Sequence, residues 1–333
     1  MNQKVSIVII GRNEERGIEK CVRAALAAAE QIGGAEMIFV DSASTDSTVE
    51  TVRALGVRVV SLKPDWELSP SAGRFIGSRC AAGEFVLFLD ADTLIYRDFL
   101  PAAIKRFEQN PAVAGINGQI DDKDENDVLL SDVEDRSGGV MDVKWLRGPA
   151  CFYRRAALVE AGSFNPYLKV EEEAELGLRL IKKGWRLQII PLPMACHTRC
   201  YHLQTVASVI SAWRRDIVSK RGGALTNTMA YAFREGNGLA FCWLRLKTTI
   251  IFLGWLSLLI LCLLLPTTFH PLQIFAAFVV LGLAAIFIEK RDAAQVWVFI
   301  LAKTLNFVDV LMGVHRIKIK SSSLYPLDVV ERS

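Results

Sequence analysis

The chain has 333 residues, enough for one large domain or a mid-sized domain with a smaller companion. Its net charge of +3 is too small to argue for a nucleic-acid partner, and its seven scattered cysteines, odd in number and without a CxxC pair, favour a reducing compartment over a disulfide framework. Hydrophobic residues make up 51% against 23% charged, and the excess is local: residues 1–245 read as an ordinary α/β protein, whereas 248–314 are overwhelmingly apolar.

Residues 5–10 (VSIVII) form a continuous β-branched run that stops at Gly11, the pattern of a central parallel strand buried on both faces. The N-terminus enters this strand without an apolar h-region and cleavage site, so no secretory signal is expected. Helix formers with one apolar face occupy 14–32, and residues 37–40 (MIFV) are the next buried strand, with Asp41 at its carboxyl end. A helix from about Ser47, a strand at 57–61 and a helix near 71–82 follow, and the run 85–89 (FVLFL) delivers Asp90 and Asp92. This alternation predicts an α/β fold with a doubly wound, mostly parallel sheet, whose ligands bind beyond the carboxyl ends of the strands. Gly11, Asp41 and Asp90 all fall at those ends. The stretch 117–147, with its acidic run 121–127, reads as a solvated, mobile loop region. A helix at 171–183 with an acidic first turn and a strand at 187–191 come next.

Two uncharged apolar runs, 249–265 and 272–288, are each at the short end of what crosses a bilayer core of roughly 30 Å. The small uncharged linker 266–271 joins them into an expected transmembrane hairpin. A third stretch, 293–314, carries Lys303, Asn306 and Asp309 on one helical face, which suits an amphipathic helix lying in the interface. The flanking cations Arg245, Lys247, Lys290, Arg291, Arg316, Lys318 and Lys320 then share one side with the N-terminal domain, as the positive-inside rule requires. The expected organisation is an N-terminal domain at 1–240, a membrane domain at 241–320 and a tail at 321–333.

Two carboxylates one residue apart at the end of a buried strand repel each other, and a divalent cation relieves that repulsion. Oxygen ligands of this kind suit Mg²⁺ or Mn²⁺, often completed by substrate phosphates. Alone, Asp90-Ala91-Asp92 is a weak signal, because Asp is common after strands as a helix cap. Asp41 and the hydroxyl-rich residues 42–48 (SASTDST) supply groups suited to a ribose and base, and equally to an N-cap series at a βα turn.

The segments VSIVIIGRNEE, FVDSASTDST, SAGRFIGSRCAAGEFVLFLDADT, GPACFYRRAALVEAGSFN and EEEAELGLRL, in that order over roughly residues 4–200, resemble the family 2 glycosyltransferases with the GT-A fold. The resemblance implies that Asp41 binds the nucleotide, with Arg12, Asn13 and Glu14 near the base. It implies that Ser42, Arg74, Asp90 and Ala91 belong to the nucleotide-sugar site, and that Asp92, aided by Asp90, holds Mg²⁺ or Mn²⁺. The family's acceptor-side motif, Glu-Asp followed by x-Asp-Leu and an Arg, reads Glu172-Glu173-Ala174-Glu175-Leu176 with Arg179 further on. The catalytic carboxylate is thus expected at Glu173, one methylene longer than in the family, with Glu172 as the alternative. His197 is the candidate to complete the metal or diphosphate site. The arrangement of Cys196, His197, Cys200 and His202 fits no common zinc spacing. Gly148 and Pro149 are expected on the acceptor side, together with Trp213 and Arg214.

What the resemblance implies is an inverting, metal-dependent transfer from a nucleotide-diphospho-sugar to a membrane-proximal acceptor, polyprenyl-linked or a glycan. The expected location is the cytoplasmic membrane, with the active site facing the cytoplasm and other glycan-assembly enzymes as candidate partners. A non-catalytic membrane scaffold on a degenerate transferase fold is the alternative. A dinucleotide-binding dehydrogenase is disfavoured, because Gly11-Arg12-Asn13 lacks the glycine turn that cradles a pyrophosphate.

Overall fold

The computed structural model describes residues 4–123, 139–198, 206–218, 222–264, 293–315, 317–328 and 330–332. The chain forms two compact units, Met1–Cys200 with Lys320–Ser333, and Tyr201–Ile319.

The first unit is built on strands β1 (Val5–Gly11), β2 (Glu36–Asp41), β3 (Arg58–Ser61) and β4 (Phe85–Asp90). They lie parallel in the order β3-β2-β1-β4, because the helices α1 (Ile18–Glu30), α2 (Thr48–Ala54) and α3 (Pro70–Cys80) return the chain between them. The near-continuous apolar runs are buried on both faces, as parallel strands require. The register sets Gly11 beside Asp41 and Ile10 beside Asp90, so the polar strand ends are level along one edge.

Beyond β4 the sheet becomes mixed. The further elements are β5 (Thr93–Ile95), α4 (Phe99–Gln109), β6 (Val113–Lys123), β7 (Met141–Val143), β8 (Ala150–Arg154), α5 (Arg155–Ala161), α6 (Glu172–Lys182) and β9 (Arg186–Thr198). β8 runs antiparallel to β4 and β6, and β9 is parallel to β6 but antiparallel to β5 and β7. The parallel sheet expected from sequence is thus the β3-β2-β1-β4 half. Residues 117–123 are part of β6 rather than a mobile loop: Asn117 and Asp122 are buried there and their polar groups are paired. Residues 124–138, the rest of the acidic stretch and Gly138, lie outside the described residues.

Helix α1 begins at Ile18, later than the apolar periodicity suggests, because Asn13 takes the left-handed conformation and 12–17 fold as turns. Helix α3 starts cleanly: Ser69 Oγ accepts from the Ala72 N–H and Pro70 occupies the first turn. It then lies tightly on the sheet. A Cβ at Gly73 would sit 3.2 Å from Ile10 Cγ2, and one at Gly77 would sit 2.3 Å from Val8 Cγ1. That closeness draws Arg74, between the two glycines, into the interior at 1% exposure.

The C-terminal residues return to this unit. A last strand, β10 (Val330–Arg332), pairs antiparallel with β3 at the sheet edge. Tyr325 is buried among Trp66, Phe75 and Tyr167, with ring centroids 5.7, 5.8 and 5.6 Å away, and its hydroxyl donates to the Glu67 carbonyl at 2.8 Å. Lys320 pairs with Glu67 at 3.1 Å, and Lys63 pairs with Asp328. Tyr325→Ala removes a buried ring and a satisfied hydroxyl. It is expected to destabilise the protein by about 3 kcal/mol, read as a fall in unfolding temperature of the purified full chain.

The second unit holds the helices α7 (Val206–Val218), α8 (Ala224–Arg234), α9 (Gly238–Leu264) and α10 (Ala293–Val314). The start of α8 and the end of α10 meet backbone to backbone: a Cβ on Gly223 would lie 2.5 Å from the Gly313 Cα. Asp309 Oδ1 accepts from the Gly223 N–H at 2.7 Å and Thr226 Oγ1 donates to the Val310 carbonyl at 2.8 Å. Asp309 therefore works inside the unit, at one end of the polar stripe read from sequence. Among the described residues one helix is long and apolar enough to cross a membrane, in the window Gly238–Trp255 of α9. The sequence run 249–265 overlaps the second half of α9, whereas 272–288 lies outside the described residues.

Candidate active site

Two loops at the level strand ends are laced together. Asn13, held left-handed, receives the Thr45 N–H on Oδ1 at 2.8 Å, and its own N–H donates to Ser44 Oγ at 2.9 Å. Glu15 Oε2 accepts from Ser47 Oγ at 2.9 Å, and the Glu14 N–H donates to Thr48 Oγ1 at 2.8 Å. Asp46 Oδ1 accepts from the Thr48 N–H at 3.1 Å, an Asx turn leading into α2. Asp41 is 3% exposed and accepts from the Ser44 N–H at 3.0 Å, and the Ser42 N–H donates to the Gly11 carbonyl. The side chains of Asn13 and Glu15 thus build the cradle, while Arg12 stays exposed and Ser42 half-buried.

The acidic triplet follows β4. The Asp90 N–H donates to the Pro149 carbonyl and the Ala91 N–H to the Ile10 carbonyl, each at 2.9 Å. Ala91 is buried against Gly11, where any added Cβ would approach its methyl to 2.7 Å. Ala91 is small because two strand ends converge there. Asp92, beyond the turn, keeps 38% of its side chain exposed.

Arg74 joins the end of β4 to the start of α6. Its Nη2 donates to Asp90 Oδ1 at 2.7 Å and to the Gly148 carbonyl at 2.9 Å, and its Nη1 lies 2.8 Å from Glu172 Oε1 and 3.1 Å from Glu173 Oε1. A buried guanidinium needs this compensation, and three carboxylates need a cation between them. The two glutamates sit at the start of α6, which Glu171 enters in the left-handed conformation. Glu172 is buried, and burial together with the neighbouring Glu173 raises its pKa. Glu173 is the more open of the two, at 16% against 6% of side-chain surface. Further along α6, Glu175 and Arg179 pair at 2.7 Å and Arg179 also donates to the Ala161 carbonyl, fastening α6 to the end of α5.

His197 stands on β9 with Nε2 3.5 Å from Asp92 Oδ2 and Nδ1 2.9 Å from Asp122 Oδ1. Burial works against its imidazolium, but the hydrogen bond with Asp122 and the nearby Asp92 carboxylate outweigh it and raise the pKa to about 9. Burial, with Asp92, Asp46 and Asp90 nearby, pushes Glu14 up to about 7. Burial also lifts Asp90 to about 6 against the pull of Arg74, with Asp92 and Glu173 adding to the rise. Such crowding of carboxylates is the condition a divalent cation relieves. Among the described residues no group of three His, Cys, Asp or Glu is gathered as a ready-made metal cage. The oxygens of Asp90 and Asp92 with the His197 imidazole suit Mg²⁺ or Mn²⁺ sharing its coordination with substrate phosphates.

Asp122 and Arg147 were not anticipated from sequence: strand register sets Asp122 opposite His197, and Arg147 pairs with it from the connection between β7 and β8. Arg74 had no signal for its ion pairs beyond the flanking glycines. Trp213 and Arg214 lie on α7 of the second unit, half-buried and exposed respectively. His202 and Cys200 fall outside the described residues, and Cys21, Cys151 and Cys242 are free thiols.

Residues 6–162 match the glycosyl transferase family 2 model and residues 85–280 match glycosyl transferase family group 2. The pre-mycofactocin glycosyltransferase of Mycobacterium tuberculosis is 26% identical over 210 residues, covering 59% of this chain and 43% of that one. The 4,4'-diaponeurosporenoate glycosyltransferase of Staphylococcus haemolyticus is 27% identical over 107 residues, or 31% and 28% of the two chains. The match thus spans less than half the length of these curated relatives. A mannosyltransferase from Pyrobaculum calidifontis, solved with GDP-Man and Mn²⁺, superposes with a TM-score of 0.62 at 17% identity, covering 96% of this chain and 89% of that one. With the mixed sheet, the level strand-end aspartates and these family matches together, the chain belongs to the family 2 glycosyltransferases of the GT-A fold.

Proposed function

We propose that the chain catalyses an inverting, metal-dependent transfer of a sugar from a nucleotide-diphospho-sugar to a membrane-proximal acceptor. The observation that carries this reading is the single guanidinium of Arg74, which binds the donor-side Asp90 and the acceptor-side Glu172 and Glu173 at once. Such an arrangement fixes the general base relative to the donor, and a displacement needs that geometry before any other help.

Asp41 and the cradle 12–16 and 41–48 hold the nucleoside. Asp90 and Asp92, with His197, would hold Mg²⁺ or Mn²⁺, which when bound supplies a Lewis acid for the leaving diphosphate. Glu173 takes the proton of the acceptor hydroxyl. Glu172 acts differently. Buried on Arg74, it positions the guanidinium that keeps Glu173 and Asp90 in place. The acceptor is proposed to be lipid-linked, at the cytoplasmic membrane. This draws on the uncharged run 249–265 and on the exposed Leu239, Trp243, Ile250 and Ile251 of α9. The second apolar run and the helix 293–314, lying in the interface, complete the proposed membrane segment.

The test is a panel of UDP-, GDP- and dTDP-sugars offered with Mn²⁺ to the purified full chain, scored by calorimetric binding and slow hydrolysis. One base class is expected to bind, with binding lost on chelation and in Asp92→Ala. A folded protein that binds no nucleotide sugar is the scaffold instead.

A further inference from the structure

Strand β9 lies between β5 and β6, and the register puts His197 opposite Thr93 on one side and opposite Asp122 on the other. Residues facing each other across neighbouring strands project to the same face with Cβ atoms about 5 Å apart. The imidazole therefore lies between the turn that carries Asp92 and the carboxylate of Asp122. The two contacts differ in kind. At 2.9 Å the Nδ1–Asp122 contact is a hydrogen bond, whereas Nε2 and Asp92 Oδ2, 3.5 Å apart, leave room between them.

Asp122 is itself held fast. It is 5% exposed, and its Oδ2 accepts from Arg147 Nη2 at 2.7 Å. Arg147 also donates through Nη1 to the Ile120 carbonyl at 3.1 Å, and through its backbone N–H to Asn117 Oδ1 at 2.6 Å. Asn117 in turn donates to the Ala150 carbonyl. Each oxygen of Asp122 thus has a fixed duty, one on Arg147 and one on the ring. A carboxylate only accepts, so the ring must carry a proton on Nδ1. In neutral imidazole the lone pair is then on Nε2, the nitrogen facing Asp92.

We propose that Asp122, clamped by Arg147, is a positioning residue that fixes the orientation and tautomer of His197, so that Nε2 is offered to the divalent cation held by Asp92. The inference rests on the metal-dependent reading above and adds two residues to it. A carboxylate behind a ligating histidine is the general way a protein sets which ring nitrogen meets a metal, and its loss typically weakens binding by roughly 10–100-fold.

The informative variant is Asp122→Asn. Arg147 demands the amide oxygen, so the amide NH₂ faces Nδ1, which becomes the acceptor and drives the proton onto Nε2. Mn²⁺ alone, titrated into purified full chain by electron paramagnetic resonance, is expected to bind roughly 10–100-fold more weakly in this variant. The double variant with His197→Ala should lose no more than His197→Ala alone, since both act through one nitrogen. ¹⁵N spectra of the metal-free protein taken above pH 9, where the ring is neutral and with only four histidines to assign, should show His197 changing from the Nδ1–H to the Nε2–H form. Arg147→Met, which leaves Asp122 unclamped, should weaken Mn²⁺ binding severalfold and serves if Asp122→Asn does not fold. Wild-type affinity in a folded Asp122→Asn or Arg147→Met protein overturns the proposal. Wild-type affinity in His197→Ala, when Asp92→Ala has lost binding, overturns it while leaving the metal site standing. Wild-type affinity in Asp92→Ala overturns the metal site itself.

Discussion

Glu173→Gln is expected to lower sugar transfer by roughly 10²–10⁴-fold, the usual worth of a positioned general base, while nucleotide-sugar binding stays at its wild-type level. The amide keeps the shape of the carboxylate and cannot take a proton from the acceptor. Gly148→Ala tests the same group by geometry. A Cβ at that position would come within 2.1 Å of Glu173 Oε1 and 3.3 Å of Arg74 Nη2, so the carboxylate must move. A displacement near 1 Å at a reacting group costs about 10²-fold. Steady-state transfer rates, read beside calorimetric affinity for the donor, separate this from a donor-binding defect. If Gly148→Ala transfers at the wild-type rate, Glu173 is not the base. Gly148, expected from sequence on the acceptor side, lies against Glu173, the proposed base.

The second large effect is on stability. Arg74→Met leaves Asp90, Glu172 and Glu173 without the cation they share, and breaking one side of a buried ionic cluster costs about 3–5 kcal/mol. For a protein of this size the fall in unfolding temperature is on the order of 10 °C. Its pH dependence has a definite sign. Burial chiefly raises Asp90, to about 6, and raises Glu172 as well. Folded carboxyls with raised pKa hold protons that the unfolded chain has released. The stability these two groups contribute without metal is therefore greatest below the unfolded value of about 4 and is lost as pH rises through the folded values. Losing Arg74 removes the cation that opposes the rise in both groups, so the variant should lose stability more steeply between pH 4 and 7. Unfolding temperatures in chelator across that range check it, and a loss equal at every pH would contradict the ionic account.

Strand identity in the first half was legible because β1, β2 and β4 are apolar on both faces, a pattern that survives any packing. Asp41 and Asp90 were legible for the same reason, since a carboxylate that closes a buried strand stands out by contrast. The start of the acidic run, 121–123, misled, because charge in sequence looks like solvent exposure. Asp122 is a strand residue only because Arg147 and His197, distant along the chain, neutralise it.

Sequence by itself determined which elements form and which residues lie at their ends, since periodicity and turn chemistry are local properties. It also carried the five ordered segments from which the family can be read. Tertiary structure decided how those residues share charge. Arg74 reaches three carboxylates because Gly73 and Gly77 let α3 sink onto β1. Glu173 stays more open than Glu172 at the start of α6, although both reach Arg74. His197 meets Asp122 because two strands align in register. Electrostatic partnership depends on distances of a few ångströms between remote residues, and only the folded chain sets those.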